Sequence, residues 1–204
     1  MKKLGSFLMI GFGAAVFFCG CEAKVTNRDS QGTTIVCFGD SLTAGTGGEK
    51  GKDYPSLLRG QVDLPVINAG VPGDTTASAL DRLKKDVLRH DPKIVIITLG
   101  GNDFMNRVPK QETLKNLGAI VDQIQSQGAM VVFAAVQTGF WGDIYSEDYQ
   151  KLSRQKHFVL IPNVLKDILF DPRYKYDRIH PNSEGYRIMA GRIYQKIKPL
   201  LGKP

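Results

Sequence analysis

The chain has 204 residues, of which 42% are hydrophobic and 23% charged, with a formal net charge of +7. That is the length of one domain with enough apolar residues for a core, which excludes disordered, collagenous and coiled-coil classes. The cations are dispersed with no accompanying stripe of Arg and aromatics, so no nucleic-acid partner is expected, and the surplus serves solubility or contact with anionic lipid.

Lys2 and Lys3 precede an uncharged, apolar run over residues 4–18. The run is short for a bilayer span, which takes about 20 residues, and has the form of a secretory signal. Phe18-Cys19-Gly20-Cys21 then resembles a bacterial lipoprotein box, with Phe18 in place of the usual Leu. The reading is a signal peptide over residues 1–20 and a lipidated Cys21; a plain signal peptide or an uncleaved anchor is the alternative. Cleavage before Cys21 leaves Cys37 without a disulfide partner, inside an apolar run where a small core residue fits. Glu22 carries no inner-membrane retention signal by resemblance to lipoprotein sorting rules. The expected location is therefore the cell envelope on the periplasmic side, at the outer membrane of a two-membrane bacterium. Residues 21–33 read as the lipidated Cys and a polar tether, and residues 34–204 as the domain.

The domain opens on a β-branched apolar run at 34–39, a buried strand ending at Gly39-Asp40-Ser41-Leu42. Taken alone, Ser41 reads as a helix cap; placed beyond a strand, it can also present a nucleophile. Residues 45–50 are Gly-rich without phosphate-loop spacing and read as a flexible lip. A short second strand at 66–69 runs into Asn68-Ala69-Gly70-Val71-Pro72-Gly73. The pattern Leu80, Leu83, Val87, Leu88 predicts a helix over 76–90. The clearest strand, 93–99, leads into Gly100-Gly101-Asn102-Asp103. Phe104, Met105 and Val108 follow at once. A helix is predicted over 113–127, stopped by Gly128. The fourth strand is 130–136, with Phe140 and Trp141 beyond it. These five hydrophobic residues either wall a substrate pocket or simply cover the sheet end. A weaker strand at 158–161 precedes Asp177-Arg178-Ile179-His180-Pro181, and Asn182 or Ser183 caps a last helix reaching Pro199.

Alternating strands and helices imply a parallel sheet covered on both faces. Ser41, Gly73 and Asn102 each follow a strand, on the edge where such sheets gather function. His180 is the candidate base: Asp177, three residues earlier, can reach Nδ1 while Nε2 faces Ser41. The Asn102 amide and the backbone N–H groups of Gly73 and Ser41 are candidate oxyanion donors. Asp103 reads as a structural acceptor.

These blocks resemble the SGNH (GDSL) hydrolase family, whose letters fall here on Ser41, Gly73, Asn102 and His180, and most of all its thioesterase, lysophospholipase and arylesterase group. The resemblance spans residues 35–200. It implies a three-layer α/β/α sandwich, flavodoxin-like, with a five-stranded parallel sheet. It also implies an acyl-enzyme on Ser41, no metal or cofactor, and an acyl ester or lysophospholipid substrate; the chain is expected to act as a monomer, held on the membrane by its lipid. An envelope carbohydrate O-deacetylase on the same fold, and a non-catalytic flavodoxin-like binding module, are the rival readings.

Overall fold

The computed structural model describes residues 24–137 and 145–202. The predicted leader, Cys21, Phe140 and Trp141 lie outside the described residues. Five strands form one sheet: β1 (Thr34–Gly39), β2 (Val66–Gly70), β3 (Pro92–Thr98), β4 (Met130–Ala134) and β5 (Val159–Ile161). All pairs are parallel and the order is β2-β1-β3-β4-β5. The predicted five-stranded α/β/α fold is the one observed.

Period-two alternation explains why these strands read as unbroken apolar runs. Ile35, Cys37, Ile94, Ile96, Met130 and Val132 face one core cluster; Val36, Phe38, Val95, Ile97, Val131 and Phe133 face the other. The first cluster is closed by α2 (Tyr54–Arg59) and α7 (Ser183–Ile197), the second by α3 (Thr76–Asp86), α5 (Lys110–Ser126) and α6 (Ser146–Lys156). Two short helices, α1 (Ser41–Ala44) and α4 (Gly101–Met105), follow β1 and β3 directly. Cys37 is fully buried, and burial raises its thiol pKa far above the usual range.

Three expectations are corrected. The helix predicted over 76–90 stops at Asp86: Val87 leaves helical φ at −125°, and a 3₁₀ turn over Leu88–His90 reverses the chain into β3. Within the predicted tether, residues 26–33 are bonded to the domain. Thr26 N–H donates to the His157 carbonyl, Asn27 Nδ2 to the carbonyls of Gln125 and Ala129, and Lys93 Nζ to that of Ser30. Residues 45–50 are packed rather than a loose lip. Tyr186 Oη donates to the Thr46 carbonyl at 2.8 Å and Glu49 N–H to Ser183 Oγ. A Cβ on Gly47 (φ +89°) would lie 2.6 Å from both the Pro181 carbonyl and Tyr176 Cβ. Glycine serves close approach here, not freedom.

Candidate active site

In the strand order 2-1-3-4-5, connections leave in opposite directions on either side of β1 and β3, opening a crevice at their carboxyl ends. Ser41 sits at the end of β1 and Asn102 at the end of β3. Ser41 is the first residue of α1; the cap is Asp40, whose Oδ1 accepts the Leu42 N–H at 3.0 Å. Asp40 is 4% exposed. Burial pushes its carboxyl up to about 6, against the Leu42 hydrogen bond and the nearby His180, which lower it.

The loop before α7 brings the other groups. His180 Nε2 lies 2.9 Å from Ser41 Oγ, and His180 Nδ1 lies 2.7 Å from Asp177 Oδ2. Asp177 Oδ1 accepts the N–H groups of Ile179 and His180, each at 2.8 Å, so the carboxylate shapes the turn as well as holding the ring. Partial burial raises the Asp177 pKa, but the His180 bond and these two N–H donors outweigh it and hold it below the ordinary carboxylate value. A Nδ1–H donated to this carboxylate leaves Nε2 as the acceptor facing Ser41.

Asn102 Nδ2 donates to the Asp74 carbonyl at 2.8 Å and approaches Asp40 Oδ2 at 3.4 Å. The Asn102 amide is thereby fixed next to Gly73. Gly73 has φ +82° with open space where a Cβ would stand. Among the described residues, neither the Ser41 nor the Gly73 backbone N–H donates to a protein acceptor. These two N–H groups and the Asn102 amide belong to segments at the same carboxyl edge of the sheet as the Ser41 hydroxyl. Asp103 is fully buried and accepts from Thr76 N–H at 2.9 Å and from Thr113 Oγ1 at 3.4 Å, a scaffold role as expected.

Of the hydrophobic candidates, Phe104 and Met105 stand on α4 beside Asn102 and Val108 just beyond it; Met105 is 43% exposed. Val71, not anticipated, is 41% exposed between β2 and Gly73.

Sequence reasoning also missed Arg82. Its Nε and Nη2 reach Asp74 Oδ2 at 2.8 and 2.6 Å, its Nη2 donates to the Gly39 carbonyl at 3.1 Å, and its guanidinium stacks on Phe38. One side chain therefore ties the Gly73 loop to the strand end that presents Ser41. A cation within the buried face of α3, between Ala79 and Leu83, was the available signal. Among the described residues no group of His, Cys, Asp and Glu is arranged to hold a metal, and no helix is long and apolar enough to cross a membrane.

Residues 37–188 match the GDSL-like Lipase/Acylhydrolase family. An arylesterase of Vibrio mimicus is 30% identical over 194 residues, covering 89% of this chain and 94% of its own length. The thioesterase 1/protease 1/lysophospholipase L1 of Escherichia coli (strain K12) is 27% identical over 185 residues, covering 87% of this chain and 89% of its own. The crystal structure of TesA superposes with a TM-score of 0.78 at 27% identity, over 82% of this chain and 99% of that one.

Proposed function

The chain belongs to the GDSL-like Lipase/Acylhydrolase family, and from that premise we propose that it is a serine esterase cleaving carboxylic ester or thioester bonds through an acyl-enzyme on Ser41. The observation that carries this reading is the line Asp177–His180–Ser41, with contacts of 2.7 and 2.9 Å. His180 takes the Ser41 proton as Oγ attacks the acyl carbon, and Asp177 stabilises the imidazolium. The oxyanion is met by the Asn102 amide and the N–H groups of Gly73 and Ser41. His180 then gives the proton to the leaving alkoxide or thiolate. Water, deprotonated by the same ring, attacks the acyl-enzyme, and Ser41 is restored. Phe104, Met105 and Val108, with Phe140 and Trp141, are proposed to line the acyl site. The protein is proposed to be exported, lipidated at Cys21 and held at the envelope as a monomer.

The test is Ser41→Ala. Hydrolysis of p-nitrophenyl esters should fall by roughly 10⁴–10⁶ while the protein stays folded, because the hydroxyl and its base act as a unit. Near-normal turnover by the folded variant would remove Ser41 from the mechanism. The same ester series, from acetyl to long acyl chains, separates a short-chain deacetylase from a lipid esterase.

A further inference from the structure

The edge of the sheet opposite Ser41 carries a charge pattern the esterase reading does not use. In a parallel α/β/α fold every helix that leads into a strand ends at the strands' amino edge. The last turns of α3, α6 and α7 are basic, which complements the helix dipole, whereas α5 ends without a cation. Lys84 and Lys85 end α3 and Arg89 follows; Arg154 ends α6; Lys196 and Lys198 lie at the end of α7. Lys24 and Arg28 join them where the chain enters. All eight are exposed, against four exposed carboxylates at this edge, Asp29, Asp63, Asp91 and Asp122, the last of which pairs with Lys156 at the end of α6. Among the described residues none of the eight forms an ion pair. On the Ser41 side Lys52, Lys110 and Arg187 are paired with Glu49, Asp148 and Glu184, while the exposed Lys50 and Arg107 form no ion pair among the described residues.

A cavity of about 420 Å³ opens in this basic edge, lined by Lys24, Val25, Arg28, Val159, Lys196 and Pro199 with Leu200. Three cations around an apolar floor match the phosphate and upper acyl region of a phospholipid. Residues 26–33 are bonded to the domain, so only about four residues separate Cys21 from fixed backbone. Four residues span at most about 14 Å. A lipid on Cys21 would hold this edge, and no other, against the bilayer.

We propose that the amino edge of the sheet is a docking surface for anionic phospholipid, with a headgroup seated in the Lys24–Arg28–Lys196 cavity. The proposal rests on the reading of Cys21 as the anchor. β1 alone separates Ser41 from this edge by roughly 20 Å, at about 3.3 Å per residue. Ser41 therefore faces away from the bilayer, and its substrates are esters that reach it from the aqueous side, not lipids of the membrane that holds it.

The test uses the lipidated full chain on vesicles of phosphatidylcholine alone and of phosphatidylcholine with phosphatidylglycerol. Amide exchange should slow in residues 24–33 and 194–201 on the anionic vesicles only. The protection should be lost at high salt and in Lys196→Glu/Lys198→Glu, by about fivefold in docked population per cation removed. Turnover of a soluble p-nitrophenyl ester should not change in that variant, which also reports its folding. A membrane dye should quench a fluorophosphonate label on Ser41 weakly. Equal protection on both vesicles, protection around residues 102–108, or strong quenching would overturn the docking. A protein that stays with neither vesicle would overturn the anchor itself.

Discussion

Asn102 holds the Gly73 loop through the Asp74 carbonyl and, in the proposed mechanism, also donates to the oxyanion. Asn102→Ala should lower kcat by roughly 10²–10³ with little change in KM, the usual cost of one oxyanion donor. Steady-state kinetics on one ester decide it, and an effect on KM alone would reduce Asn102 to a binding group. Asp40 offers a second measurement. Its carboxyl sits at about 6 in the fold against 3.8 in a free chain. The folded protein thus binds the proton more tightly than the unfolded one. The stability this supplies is complete below pH 3.8 and is lost as pH rises through 6, a difference of about 3 kcal/mol. Asp40→Asn keeps a capping oxygen without the charge. Denaturant midpoints across this pH range should therefore slope downward with rising pH more in the wild type than in the variant, and parallel curves would contradict the burial argument. Ser41, Gly73 and Asn102 were legible as a Ser, a Gly and an Asn just beyond three strands, and His180 by the Asp three residues before it; together these have few other uses. Asp40 and Asp74 were not, since an acid beside a turn carries no mark of being buried.

Elements were legible in proportion to how much of their surface is buried. β1, β3 and β4 are covered on both faces and read as continuous apolar runs. By contrast α6 buries only Tyr149, and α2 has six residues, so neither shows a stripe. The segment 26–33 misled because its attachments are polar and carry no periodicity. On α3, Arg82 is the residue whose removal should be felt most widely. Arg82→Met leaves the Asp74 carboxylate, 5% exposed, without its cation. The expected cost is on the order of 3 kcal/mol, seen as a lower melting temperature, together with a fall in kcat as the Gly73 loop shifts. Adding Asp74→Asn should recover much of the stability. A double variant no more stable than the single one would mean that Arg82 acts through Gly39 and Phe38 instead.

At the scale of the whole molecule, stability comes from two clusters on opposite faces of one sheet, with no disulfide among the described residues. Cys37 is the free cysteine there, fully buried in β1, between β2 and β3. Melting temperature should be the same with and without dithiothreitol, in spite of the exported location proposed for the protein. A drop on reduction would reveal a cross-link involving residues outside the described set.

The contact between His180 and Ser41 joins residues 139 positions apart, and the strand that presents Ser41 is made first yet lies between neighbours made later. Loop closure over such separations comes late in folding. A chain still emerging from the ribosome therefore holds a serine without its base. On the proposed mechanism and export, hydrolytic competence waits for the loop before α7 to deliver His180, so the chain would be silent where it is made and active only where it finishes folding.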